Sequence, residues 1–92
     1  MTPTKKTVRL IIHGRVQGVS FRDTMRREAQ RLKITGGVRN RSDGKVEAVV
    51  HGEFAAVDDI VRWAHRGPEH AQVERIDVES DDGRYTHFEV IG

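Results

Sequence analysis

Cysteine is absent from this chain of 92 residues, and aromatic residues are scarce, with one tryptophan, one tyrosine and three phenylalanines. The lack of cysteine excludes disulfide bonds, a thiolate nucleophile and a cysteine-rich metal site. Residues 1–6 are mostly polar and contain no apolar stretch, which argues against a signal peptide or a membrane anchor. We therefore expect a cytoplasmic protein that does not associate with a membrane.

Charge of neither sign dominates, since 16 basic residues stand against 14 acidic ones. The basic residues are nonetheless concentrated around one segment, where they comprise Arg15, Arg22, Arg26, Arg27, Arg31 and Lys33. We interpret Arg26, Arg27 and Arg31 as the solvated outer face of a surface helix. Only Arg15 and Arg22 are close enough in sequence to the glycine-containing loop described below to belong to a site. The five histidines show no metal-ligand spacing, so we expect no metal site.

The first third of the chain predicts a strand followed by an amphipathic helix. Residues 7–13 alternate as a half-buried strand does. The apolar stripe of the helix consists of Phe21, Met25, Ala29 and Leu32. Ser20 is expected to cap this helix, with Asp23 completing a weak capping box. Gly36 and Gly37 are expected to end it.

The remaining residues predict four more strands and a second helix. The strands are expected at 38–41, 45–51, 73–78 and 85–91, with a turn at 42–44 and a helix through Val57, Ile60, Val61 and Ala64 that stops at Gly67 and Pro68. Glu74 and Arg75 interrupt the alternation of their strand, which indicates a bulge. This order predicts an α+β, ferredoxin-like split β-α-β fold, in which two helices pack on one face of an antiparallel sheet. We expect residues 1–6 to form a flexible tail and residues 7–92 a single domain.

The loop between the first strand and the first helix carries the strongest functional signal. Residues 14–22 read Gly-Arg-Val-Gln-Gly-Val-Ser-Phe-Arg. Glycines allow successive backbone N–H groups to converge on an anion, and the first helical turn adds free N–H groups and the positive end of the helix dipole. An ordinary strand-to-helix connection is the alternative interpretation. The loop lacks the motifs of nucleotide and dinucleotide phosphate loops, so a smaller anion than a nucleotide is expected.

Asn40 is expected at the same edge of the sheet as this loop. In a split β-α-β unit the first two strands run parallel with one strand between them, so their ends lie roughly 10 Å apart. A phosphoryl group and one water molecule fill such a gap. The Asn40 amide both donates and accepts hydrogen bonds, so it is suited to orient a water molecule. The alternative is that Asn40 only opens the following turn, where asparagine is common.

A site of this kind is suited to one class of phosphoryl transfer. Arg22 cannot act as a base, because guanidinium stays protonated, but it can bind phosphate oxygens through two parallel hydrogen bonds. Phosphoryl transfer depends mainly on positioning and charge stabilisation, and a carboxylate leaves without needing a proton. Mixed carboxylic-phosphoric anhydrides are therefore a better substrate class than phosphate monoesters of alcohols, which need a general acid or a metal ion.

Two motifs in this order and spacing resemble those of the acylphosphatase family. The first is residues 14–22, and the second is Gly-Gly-Val-Arg-Asn at 36–40 followed by Ser-Asp-Gly at 42–44. The likeness continues through residues 46–52 and 67–73 to the closing strand, so it covers nearly the whole chain. It implies hydrolysis of acyl phosphates to a carboxylate and inorganic phosphate, with no metal or organic cofactor.

The resemblance also implies a role for each site residue. Arg22 binds the phosphate and Asn40 orients the attacking water, so these two are the expected catalytic residues. The backbone amides of Arg15, Val16, Gln17, Gly18 and Val19 are expected to complete the phosphate cradle with Arg22. Water attacks with no covalent intermediate, and its proton passes to the phosphate of the substrate itself.

Two positions depart from the usual pattern of the family. Gly37 stands where an aromatic residue, often tryptophan, tends to precede Val-Arg-Asn, and Lys33 stands where glycine often ends the first helix. The loss of an aromatic contact near Asn40 puts the rigidity of that strand in question.

A non-catalytic phosphate- or anion-binding module of ferredoxin-like fold is the alternative function. RNA binding by this fold is disfavoured, because it uses aromatic residues on central strands, and residues 7–13 and 45–51 contain none. We expect a monomer with a small-molecule substrate and no nucleic-acid partner.

Overall fold

Residues 4–91, the part of the chain that the computed structural model describes, form five strands and two helices. The elements are β1 (Lys5–Arg15), α1 (Phe21–Leu32), β2 (Thr35–Asn40), β3 (Val46–Glu53), α2 (Phe54–Arg66), β4 (Gln72–Ser80) and β5 (Phe88–Ile91). Residues 1–3 of the expected tail, and Gly92, lie outside the described residues. Lys5 and Lys6 do not belong to a tail, because they pair with Glu53 and Gly52 of β3.

The strands form one sheet in the order β4-β1-β3-β2-β5, and both helices pack on it. This arrangement confirms the ferredoxin-like α+β fold. The pairs among β1, β2, β3 and β4 are antiparallel, as expected, but β5 pairs with β2 in parallel, so the sheet is mixed. β4 runs opposite to β2, and the chain reverses its direction after β4. As a result, β5 runs in the same direction as β2.

The core lies between the helices and one face of the sheet. Its members on the sheet include Leu10, Ile12, Val38, Val46, Ala48 and Val50, and those on the helices include Phe21, Met25, Ala29, Val57, Ile60, Trp63 and Ala64. The rings of Phe21 and Trp63 meet edge to face with centroids 5.4 Å apart, which joins the start of α1 to the end of α2. In the described part of the chain, neither helix has the length and apolar character that crossing a bilayer requires.

The ends of α1 differ from the sequence prediction. Ser20 does occupy the N-cap position, but its backbone is left-handed (φ 62°) and its side chain makes no capping hydrogen bond, so the expected capping box is absent. At the other end Lys33 is also left-handed (φ 59°), and the amide of Ile34 donates to Ala29 O at 2.8 Å. The helix therefore ends at Lys33, and Gly36 and Gly37 lie inside β2.

Gly14 belongs to β1, at the point where the expected bulge disturbs its pairing with β4. His13 pairs with Arg75 and Gly14 with Val73, so Glu74 is the extra residue of the bulge. Gly14 has φ +125°, and a Cβ on it would lie 2.1 Å from Gln72 O. The first glycine of the loop motif thus permits close approach of two strands and does not itself form the loop.

Gly14→Ala is expected to lower the free energy of unfolding by about 2–4 kcal/mol, because it combines backbone strain with a clash against β4. Chemical denaturation measures the loss. Gly44→Ala is the matched control, since Gly44 also has positive φ (+89°) but no atom within 4 Å of an added Cβ. It is expected to cost only about 1 kcal/mol. Equal losses in the two variants would contradict the role assigned to the contact with β4.

Candidate active site

An open cavity of about 450 Å³ lies beside the loop that joins β1 to α1. It is lined by Val16, Gly18, Ser20, Phe21, Arg22, Asp23, Asn40 and Val90. The fold therefore brings Arg22, from the first turn of α1, and Asn40, from the end of β2, to the same space.

The loop over residues 16–20 combines a buried anchor with an unusual backbone. Val16 is buried in the core, whereas Gly18 (φ +73°) and Ser20 (φ 62°) both adopt left-handed conformations. Within residues 4–91, the backbone amides of residues 17–20 donate no hydrogen bond to another protein group. Gly18 and Ser20 stand on either side of Val19, which has no positive φ, and such alternation directs neighbouring amides toward one point, as in an anion-binding nest. The left-handed Ser20 thus leaves the amides at the start of α1 available to a ligand.

Arg22 is half-buried and lines the cavity from the first turn of α1. The carboxylate of the adjacent residue, Asp23, forms ion pairs with Arg26 at 3.3 Å and with Arg27 at 3.6 Å. The solvated face expected for Arg26, Arg27 and Arg31 is confirmed, because all three side chains are exposed. Arg31 pairs with Glu28, and that hydrogen bond raises the pKa of Arg31.

Asn40 is the last residue of β2 and is also half-buried. The turn that follows it is well ordered by hydrogen bonds, since the amide of Arg41 donates to Lys45 O at 2.8 Å. The amide of Lys45 donates to Asp43 Oδ1, and this bond is the main reason that the pKa of Asp43 lies below its usual value. Asn40 therefore projects from a strand end whose position is fixed.

The side chain of Gln17 reaches this turn from the loop. Its Nε2 donates to Arg41 O at 2.7 Å and to Lys45 O at 3.0 Å. Gln17 does not line the cavity, so a role in phosphate binding is left to its backbone amide.

The other expected cradle residues are placed differently. Arg15 is exposed at the end of β1, where it pairs with Gln72, and Val19 packs against the core. Neither side chain lines the cavity. Of the expected site residues, Val16, Gly18, Arg22 and Asn40 line it directly.

Four lining residues were not expected in the site from sequence, namely Ser20, Phe21, Asp23 and Val90. Ser20 and Phe21 belong to the motif at 14–22, but the sequence predicts a helix cap and a core residue there, and it predicts Asp23 as part of the capping box. Val90 comes from β5, and it reaches the cavity because it pairs with Val38 of β2. Local sequence carries no signal for the pairing of β5 with β2.

Two of the histidines contact side chains on neighbouring strands. Across residues 4–91, no three His, Cys, Asp or Glu side chains are grouped as metal ligands would be. His13 contacts Asp77 at 2.8 Å, and this hydrogen bond lowers the pKa of the Asp77 carboxyl. His51 contacts the Thr7 hydroxyl at 2.6 Å.

Comparison with known proteins gives one consistent result. Residues 8–90 match the sequence model of the family described as acylphosphatase. The chain is 57% identical over 84 residues to an acylphosphatase of Thiobacillus denitrificans, an alignment that covers 91% of this chain and 94% of the relative. It is 54% identical over 87 residues to an acylphosphatase of Rubrobacter xylanophilus, covering 92% and 79%. An acylphosphatase structure from Coxiella burnetii superposes with a TM-score of 0.91 at 34% identity, covering 96% of this chain and 94% of the other.

Proposed function

Because the chain belongs to the acylphosphatase family, and so hydrolyses acyl phosphates to a carboxylate and inorganic phosphate, we propose that Arg22 and Asn40 perform this reaction in the cavity beside the β1–α1 loop. The observation that carries the proposal is that two residues far apart in sequence line one cavity together with Gly18 and Ser20. Arg22 and the loop bind the phosphate, and Asn40 acts on the attacking water.

The phosphate group is held by charge and by backbone amides. The Arg22 guanidinium offers two parallel N–H donors that match two phosphate oxygens. The amides of residues 15–19 and the start of α1 add neutral donors and the positive end of the helix dipole. These donors stabilise the negative charge that accumulates on the equatorial oxygens as the reaction proceeds.

Asn40 places the water for attack on phosphorus opposite the acyl oxygen. Its amide oxygen accepts a hydrogen bond from the water, while its NH₂ group can donate to a phosphate oxygen. As the new O–P bond forms, the P–O bond to the acyl group breaks and the carboxylate leaves with the electron pair. A carboxylate leaving group needs no proton at neutral pH, and the proton of the water passes to a phosphate oxygen of the substrate. The reaction requires no covalent intermediate.

The alternative of a non-catalytic anion-binding module is not favoured, because the similarity to acylphosphatases extends over nearly the entire chain. It makes a different prediction, since such a module binds phosphate without accelerating hydrolysis.

The test of the proposal is hydrolysis of benzoyl phosphate by the purified protein, followed by the loss of absorbance, with and without a metal chelator. We expect turnover far above the rate in buffer, unchanged by the chelator, and competitive inhibition by inorganic phosphate. A rate equal to that in buffer would contradict catalysis by this site. Loss of activity on chelation would contradict the metal-free mechanism.

We further propose that the enzyme acts as a cytoplasmic monomer on small-molecule substrates, and that residues 7–92, together with Lys5 and Lys6 of β1, form one domain. The absence of cysteine is consistent with a reducing compartment but also with others, so fractionation of cells is the direct test. The lack of aromatic residues in β1 and β3 supports the exclusion of nucleic acid as a partner.

A further inference from the structure

We propose that the Gln17 side chain is a positioning residue that sets the distance between the phosphate-binding loop and Asn40. It acts through the β2–β3 turn and does not touch the substrate. This inference rests on the proposed function, because it concerns the geometry between the two groups that bind the phosphate and the water.

The geometry of the contact supports this role. The Gln17 amide group has two N–H donors, and its Nε2 lies within hydrogen-bond distance of two carbonyls, Arg41 O at 2.7 Å and Lys45 O at 3.0 Å. These carbonyls stand at the two ends of the turn, and Arg41 directly follows Asn40. One side chain therefore holds both sides of the turn that carries Asn40, and the contact is partly shielded from solvent.

The sheet does not join the loop directly to the strand that bears Asn40. In the sheet β1 pairs with β3 and β4, so the strand that leads into the loop makes no ladder with the strand that bears Asn40. Among the described residues, no other hydrogen bond joins residues 16–20 to residues 40–45. Within residues 4–91, Gln17 therefore makes the hydrogen bonds that connect the loop to the turn.

The rate of water attack depends on the distance between the phosphate-binding loop and Asn40. A misplacement of about 1 Å between reacting groups costs on the order of 10²-fold in rate. The Gln17 side chain is absent from the lining of the cavity, so its loss removes no direct contact with phosphate. Loss of the Gln17 side chain is therefore expected to lower kcat, which measures the rate of the bound complex, and to change phosphate affinity only weakly.

The test is Gln17→Met, which keeps the length of the side chain and removes both donors. We expect kcat for benzoyl phosphate to fall roughly 10-fold, while the inhibition constant of inorganic phosphate changes less than about 3-fold. Gln30→Met is the matched control, because Gln30 is an exposed residue of α1 whose side chain makes no hydrogen bond within residues 4–91. It is expected to leave kcat unchanged. Thermal unfolding of each variant shows how much of any loss reflects folding.

A double-mutant cycle tests whether Gln17 acts through Asn40. In the Asn40→Ala background, Gln17→Met is expected to cause almost no further loss of kcat, because the group that it positions is gone. Additive losses would overturn the inference, as would an unchanged kcat in the folded Gln17→Met protein. If Gln17→Met does not fold, Gln17→Asn gives the same comparison, since its shorter amide cannot reach both carbonyls.

Different results would contradict the proposed role of Asn40 and the inference about Gln17. If Asn40→Ala alone keeps the wild-type kcat, the role proposed for Asn40 is wrong. If Asn40→Ala loses activity as expected but Gln17→Met adds to that loss, only the inference about Gln17 is wrong.

Discussion

Arg22→Ala is expected to lower kcat/KM for benzoyl phosphate by about 10³-fold or more, because an arginine that stabilises a transferring phosphoryl group is worth that much in comparable sites. The guanidinium binds the phosphate in the ground state and more strongly as charge develops, so both KM and kcat are affected. The inhibition constant of inorganic phosphate is expected to rise as well. Steady-state kinetics with phosphate as inhibitor provide both measurements.

Two further variants separate charge from geometry at this position. Arg22→Lys keeps the positive charge but loses the two-pronged donor, so we expect a loss intermediate between wild type and Arg22→Ala. Arg27→Ala removes a neighbouring arginine whose side chain is 73% exposed and pairs only with Asp23 among its described ion pairs. It is expected to leave kcat/KM unchanged. A kcat/KM within about 3-fold of wild type for Arg22→Ala would mean that phosphate binds elsewhere, because the expected loss is far larger.

Periodicity was sufficient to predict the order of the elements and the two faces of the sheet. The helical stripe of Phe21, Met25 and Ala29 and the alternation of β1 both proved to face the core. These patterns are local, since each element must bury one face whatever its partners are. The fold class followed from the order of the elements alone.

Features that depend on distant contacts were not predictable in the same way. The sequence gives no local indication that Ser20 and Lys33 are left-handed, since non-glycine residues rarely adopt that conformation. Lys33 adopts it at the C-cap, where α1 ends. The position of Gly36 and Gly37 inside β2 follows from that earlier helix end.

Gly37 illustrates how a departure from the family pattern is accommodated. A Cβ at this position would lie 3.0 Å from Ile91 Cδ1, so the space beside Gly37 is occupied by a side chain of β5. In this chain Ile91 therefore lies beside position 37, where the family pattern has an aromatic residue. Sequence alone could not reveal this, because it depends on the parallel pairing of β5 with β2.

Asn40→Ala is expected to lower kcat by about 10²- to 10³-fold, comparable to the loss of one preorganised hydrogen-bonding group in an active site. The inhibition constant of inorganic phosphate is expected to stay within about 3-fold of wild type, because Arg22 and the loop amides supply most of the binding energy. The same kinetic assay gives both values, and Ser42→Ala, in the exposed turn two residues further on, serves as the control.

The split between kcat and phosphate binding decides what Asn40 does. If Asn40→Ala lowers kcat and the affinity for inorganic phosphate by the same factor, Asn40 is a phosphate ligand and another group orients the water. If Asn40 only opens the β2–β3 turn, the variant unfolds at a lower temperature while the folded enzyme keeps its kcat. Asn40→Asp sharpens the comparison, because a carboxylate of the same shape still accepts a hydrogen bond from water but repels the phosphate. We therefore expect Asn40→Asp to weaken phosphate inhibition where Asn40→Ala does not, since only the former places a negative charge beside the phosphate.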